Sequence, residues 1–261
     1  MLGFRLFHAV LEWKWERGLM DQLIYIGLFI FLFSAILQGL TGFGFSILAV
    51  PLITIFISPK IAVPILLIYS IIINIVVLYS ARKAVDLKKI WILLVAGIVT
   101  MPLGTHLLVI MNEDLLKIFI GSMILIFGIL LLIGFRRQFK NEKIAMLPVG
   151  MLSGLLGGSI SVSGPPIILF LSNQDVDKHT FRGNLAAYFF ILNLFTIPVY
   201  FWNGLLTNEV WNYSLTFLPG LLVGVIVGNL LSHKIKEDHF KKLTLILLIA
   251  MGILSIISGL K

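Results

Sequence analysis

Eight stretches of this chain contain no Asp, Glu, Lys or Arg: residues 23–59, 61–81, 90–112, 118–135, 144–174, 183–208, 210–233 and 243–260. A helix that crosses a hydrocarbon core needs about 20 apolar residues, whereas a soluble helix of that length carries a charged face. The blocks therefore read as membrane-buried helices and the chain as an all-α integral membrane protein. The composition agrees, with 59% of the 261 residues hydrophobic, 12% charged and a mean hydropathy of +1.06.

Two blocks are too long for one crossing. At 1.5 Å per residue, 23–59 would make a helix of about 55 Å, yet "LQGLTGFGFSILAVPLI" (37–53) places three glycines and a proline near its middle, and 144–174 is broken in the same way by "SGLLGGSISVSGPPI". Each block either kinks sharply or turns back as a helical hairpin.

The two breaks belong to an internal repeat. Adding 115 carries Gly39, Gly42, Ser46 and Pro51 onto Gly154, Gly157, Ser161 and Pro166. An offset of 119 carries Tyr69 and Asn74 onto Tyr188 and Asn193, and one of 124 carries Gly104, Glu113, Asp114 and Lys117 onto Gly228, Glu237, Asp238 and Lys241. The chain divides accordingly into an N-terminal segment (1–22), a first transmembrane repeat (23–135), a basic linker (136–143) and a second transmembrane repeat (144–260). Residues 1–22 mix Leu6, Phe7, Trp13 and Trp15 with Arg5, Lys14 and Arg17, which suits an amphipathic helix in the membrane interface; a frayed tail is the alternative.

The net charge of +8 sits in short loops, where the positive-inside rule accounts for it, so no nucleic-acid partner is expected. Three clusters, Arg82 to Lys89, Arg136 to Lys143 and Lys234 to Lys242, fall on one side if both long blocks are hairpins. That arrangement makes the halves inverted repeats, with the clusters cytoplasmic and both termini outside. The absence of cysteine excludes disulfides and Cys-ligated metals.

Helix breaks in membranes free backbone groups that must face protein or a water-filled cavity. Broken segments at matching positions of two repeats point to a midplane binding site, and an open helix N-terminus favours an anion. The candidate contacts are Gln38, Gly39, Thr41, Gly42, Gly44 and Ser46 in the first break, with Gly157, Gly158, Ser159, Ser161 and Ser163 in the second. Close helix packing is the alternative role for the glycines, and bonding to a carbonyl one turn back is the alternative for the serines. Asn74, Asn193 and Tyr188 can donate to an anion or bond between helices. Arg182 offers a fork of donors suited to an oxyanion, or snorkels at a helix end. His106 can relay a proton, or pack as a neutral donor.

"GLTGFGFSILAVPLI" and "GLLGGSISVSGPPIILFL", each opening a four-segment half, resemble the paired glycine-rich signatures of the TauE/SafE sulfite exporter family. Arg182 in "HTFRGNLAAYFFILN" resembles an arginine of that family, while Ser159 stands where members often carry a glycine. The resemblance implies a bacterial or archaeal plasma-membrane transporter of small sulfur-containing anions, such as sulfite or organosulfonates, with lipid as its other partner. The expected mechanism is alternating access, without cofactor or metal. An anion channel, a carrier of small carboxylates and a homodimeric assembly stay open. An enzyme is disfavoured, because no His-x-x-x-His, Ser/Lys dyad or deep carboxylate pair occurs.

Overall fold

The computed structural model describes residues 2–133, 141–172, 177–231, 249–250 and 252–260, with backbone alone for 2–21 and 178. The linker arginines 136 and 137, Lys140, and the basic cluster 234–242 lie outside the described residues, as do the side chains of the N-terminal segment. Among the described residues the longer helices are α1 (Leu2–Thr41), α2 (Phe45–Ile53), α3 (Pro59–Ala81), α4 (Trp91–Ile110), α5 (Glu113–Leu132), α6 (Glu142–Ile160), α7 (Gly164–Leu171), α8 (Lys178–Trp202) and α9 (Asn208–Leu231). Residues 252–259 form a further helical stretch. Seven helices among the described residues are long and apolar enough to cross a membrane, counting Gln22–Thr41 of α1.

Local chemistry sets the boundaries. Ser58 caps α3 by accepting from Lys60 N–H, with Pro59 at the first helical position, where its missing N–H is no loss. Asn112, Asn141 and Asp177 cap α5, α6 and α8 through their side-chain oxygens. Each accepts from an N–H that has no partner within its helix.

Both long apolar blocks reverse direction. Phe31 and Phe45 have ring centroids 6.1 Å apart, although 14 residues of straight helix would separate them by about 21 Å. The reversal needs left-handed backbone at Gly42 (φ 85°) and Gly44 (φ 99°), a region that side-chain-bearing residues avoid at about 1–2 kcal/mol. In the second block the turn falls at Ser161, left-handed at φ 58°, and the Ser153 hydroxyl donates to the Ser163 carbonyl at 2.6 Å.

Two tight seams join the halves. Gly220, Gly224 and Gly228 of α9 lie against the carbonyls of Leu28, Leu32 and Ile36 of α1, and Gly150, Gly154 and Gly158 of α6 against those of Leu93, Gly97 and Met101 of α4. The ascending order shows that each pair runs parallel, and the missing side chains let the backbones meet, as small residues do in membranes.

These contacts revise the register of the repeat. Gly228 meets Ile36 as Gly104 meets Leu155, and Gly39 meets Asn229 as Gly158 meets Thr105. The positions differ by 119 between α1 and α6 and by 124 between α4 and α9. The offset of 115 at the first motif is therefore one helical turn out. Four residues return a helix to nearly the same face, so glycines match glycines in either register. The turn residues then correspond as Gly42 with Ser161 and Gly44 with Ser163.

The helix ends gather into two layers. At one, Asn184 accepts from Asp86 N–H at 2.7 Å, Gly183 lies beside Ala81, and Ser80 Oγ lies 3.4 Å from Asn229 Oδ1. At the other, Ser58 Oγ donates to Glu113 at 2.5 Å and Lys60 Nζ to the Val109 carbonyl at 2.8 Å. The stretch 252–259 runs antiparallel along α5, with Gly252 near Gly121 and Gly259 near Asp114. Arg82, Lys83, Lys88 and Lys89 all belong to the first layer.

Candidate functional site: the meeting of the two breaks

The two turns come together between α3 and α8. A cavity of about 20 Å³ is lined there by Gln38, Gly44, Ser46 and Ile47 from the first block, Ser161, Val162, Ser163 and Gly164 from the second, and Ser70 and Phe189 from the mid-lengths of α3 and α8. That is room for about one water molecule. No carboxylate stands among the lining residues.

Both short helices start at this cavity. In α2 the first helical bond is Leu48 N–H to the Gly44 carbonyl, so the N–H groups of Ser46 and Ile47 have no acceptor within the helix. Pro165 and Pro166 occupy the first turn of α7 and have no N–H to offer. The donor field of the cavity is therefore one-sided, with α2 supplying more of it.

A buried polar network braces the walls. Phe45 N–H donates to Gln38 Oε1 at 3.1 Å, and Gln38 Nε2 donates to Asn74 Oδ1 at 3.1 Å. Asn74 Nδ2 and Asn193 Nδ2 both donate to Ser70 Oγ, at 3.0 and 2.9 Å. On the second hairpin the Tyr188 hydroxyl donates to Ser153 Oγ at 2.9 Å, and Ser153 holds the Ser163 carbonyl. Tyr69 donates instead to the Ser214 carbonyl at 2.6 Å. Buried polar groups cost free energy unless paired, so these bonds lock the helices in place.

The candidates named from sequence thus separate by position. Gln38, Gly44, Ser46, Ser161 and Ser163 line the cavity, while Asn74, Asn193 and Tyr188 stand behind its wall. Thr41 Oγ1 lies 2.9 and 2.7 Å from the carbonyls of Leu37 and Phe43 and accepts from Phe43 N–H, which stiffens the first turn. Gly158 packs on α4, Gly157 approaches Ser163, and Ser159 donates to the Leu155 carbonyl one turn back at 2.8 Å. His106 is exposed on α4 and is not part of the lining. Ser70, absent from the candidates, is at the centre.

Arg182 lies on the far side of the first turn. Its guanidinium donates to the Gly39 carbonyl at 2.6 Å and to Asn229 Oδ1 at 2.8 Å, and the residue is only 8% exposed. Gly39 is in the last turn of α1, where unpaired carbonyls and the dipole favour a cation. Arg182 therefore ties the ends of α1 and α9 together beneath Gly42. Next to it a wider cleft of about 400 Å³ opens between residues 79–84 and His179, with the Arg82 guanidinium 4.7 Å from the centre of the Tyr79 ring. Asp177, which caps α8 two residues before His179, has a carboxyl held below the ordinary range, by the Thr180 side chain first and then by neighbouring N–H groups.

No curated protein and no solved structure matches the chain. A family profile does: that of the family described as sulfite exporter TauE/SafE matches residues 27–255, nearly the whole length and both hairpins. With its multi-pass helical architecture, the chain belongs to the sulfite exporter TauE/SafE family, a family of membrane transporters.

Proposed function

We propose that this protein is a secondary carrier of small sulfur-containing anions, such as sulfite or organosulfonates, and that cargo is held where the two helix breaks meet. The observation that carries this reading is the cavity lining: free N–H groups at the start of α2 and four serines converge there without a carboxylate. Donors without acceptor charge favour an anion. A cavity that admits about one water is too small for a sulfonate group, so cargo must enter by a rearrangement that opens one side. The Arg182 contacts and the adjoining basic cleft form the cytoplasmic approach, and alternating access opens and closes it. Arg182 meets cargo only in a state that releases Gly39 and Asn229.

The two halves act as inverted repeats. Each hairpin returns to the side it came from, and the recurrent seams α1 with α9 and α4 with α6 support a two-fold relation in the membrane plane. The layer bearing Arg82 to Lys89 is cytoplasmic by the positive-inside rule, in the plasma membrane of a bacterium or archaeon. A cysteine replacing Lys88 in this Cys-free protein should react with a membrane-impermeant maleimide only from the cytoplasm, and one replacing Glu209 only from outside. Strong external labelling at position 88 would reverse the orientation.

Transport is tested in proteoliposomes offered sulfite, sulfoacetate, taurine and acetate. Uptake should saturate, with sulfoacetate or sulfite preferred to taurine, because the taurine ammonium has no buried partner in the lining and suffers desolvation. Discrete single-protein currents in a planar bilayer would instead show a channel. Preferred uptake of amines over every sulfur oxyanion would defeat the anion reading.

A further inference from the structure

We infer that Ser70 is a cargo-binding residue whose hydroxyl is locked as a hydrogen-bond donor toward the cavity, and that this lock sets the preference for an oxyanion. The Phe45 backbone N–H can only donate, so the Gln38 atom it meets is the carbonyl oxygen. Gln38 must then present its amide nitrogen to Asn74, which receives it on Oδ1. Asn74 therefore turns its own nitrogen to Ser70. Asn193 brings a second amide nitrogen to the same oxygen.

A hydroxyl has two acceptor lone pairs and one proton. Both lone pairs of Ser70 are taken, leaving the proton. A serine in a helix commonly gives that proton to the carbonyl one turn back, as Thr54, Thr100, Ser159 and Thr196 do here. Among the described residues Ser70 Oγ is bonded to the two asparagines alone, and Ser70 lines the cavity. Its hydroxyl can serve an acceptor in that space and cannot serve a donor. A sulfonate or carboxylate oxygen fits; an ammonium does not. The first hairpin thereby imposes its orientation on a residue of α3, since the chain of bonds starts at the N–H that opens α2.

This inference rests on the carrier reading, and the test separates the two. Binding of sulfoacetate, acetate and ethylammonium to purified protein is measured by calorimetry for wild type, Ser70→Ala, Ser70→Cys and Ser70→Thr. Loss of a hydrogen bond to a charged ligand predicts about 10- to 100-fold weaker sulfoacetate binding for Ser70→Ala. Ser70→Thr retains the hydroxyl and should stay within about threefold of wild type on the same ground. Ser70→Cys keeps an acceptor for the asparagines with only a weak donor, so it should fold even where Ser70→Ala, which strands two amides, does not, and should still bind several-fold more weakly. Folded Ser70→Ala or Ser70→Cys protein binding sulfoacetate as tightly as wild type overturns the role of Ser70 and leaves the carrier reading intact. Wild-type protein binding none of the anions overturns the carrier reading itself.

Discussion

Replacing Gly154 with leucine should abolish recovery of folded protein. An added Cβ at this position would lie 2.6 Å from Gly97 Cα and 2.5 Å from Thr100 Oγ1, with the Gly97 carbonyl closer still. All three belong to α4, and two are backbone, which cannot swing away. The seam also carries the bond from Thr100 Oγ1 to the Met151 carbonyl at 2.8 Å, which would be pulled apart if the helices separated. Overpacking against backbone along a whole seam places the cost at the exceptional end for a single substitution, about 4 kcal/mol or more. Gly204→Leu is the control: its φ is +68° and nothing lies within 4 Å of an added Cβ, so only left-handed strain of about 1–2 kcal/mol is expected. Size-exclusion profiles in detergent report both. A monodisperse Gly154→Leu protein with wild-type melting would mean that α4 and α6 are not joined through this glycine.

The seams explain what could and could not be read from the chain in advance. Charge-free blocks located every described spanning helix, because in lipid a helix declares itself by composition alone. The breaks were signalled by the glycines and prolines of the two motifs, residues whose backbone limits are local, while the choice of reversal over a kink came from the basic loops. The register of the repeat was not legible, because 115 and 119 place the same helix face in line, and only the pairing of Ile36 with Gly228 and Leu155 with Gly104 separates them. Ser70 escaped for a related reason: the repeat sets Phe189 opposite it, so a search for matched polar positions passes over it. Its spacing from Asn74, four residues along one helix face, was the one available cue. Arg182 was named from its chemistry, but its partners, the Gly39 carbonyl and Asn229, belong to helices 143 and 47 residues away. No local pattern announces such contacts.

Gly42→Leu, in contrast with Gly154→Leu, should leave the protein inserted and folded while reducing sulfoacetate uptake by about 100-fold or more. Gly42 holds the first turn at φ 85°, and a Cβ there would stand 2.6 Å from Arg182 Cγ. The obstacle is a side chain and not backbone, so the structure can yield by moving Arg182. That movement gives up its bonds to Gly39 and Asn229 and loosens the tie between the ends of α1 and α9. The turn itself must also adopt strained backbone, about 1–2 kcal/mol, which is borne by a loop and not by a seam. Uptake suffers more than folding because the turn carries Gly44, Ser46 and the start of α2 into the cavity, and positioning errors there fall directly on the cargo. Gly157→Leu is the companion case at the second turn, where the added Cβ would meet Ser163 Cβ at 3.1 Å and Leu192 Cδ2 at 3.3 Å, pressing on the other half of the lining. Both variants should elute as wild type and fail in transport. Unchanged uptake by both would remove the turns from the cargo path, even if the seams behave as described, since those glycines would then serve only to let the chain reverse.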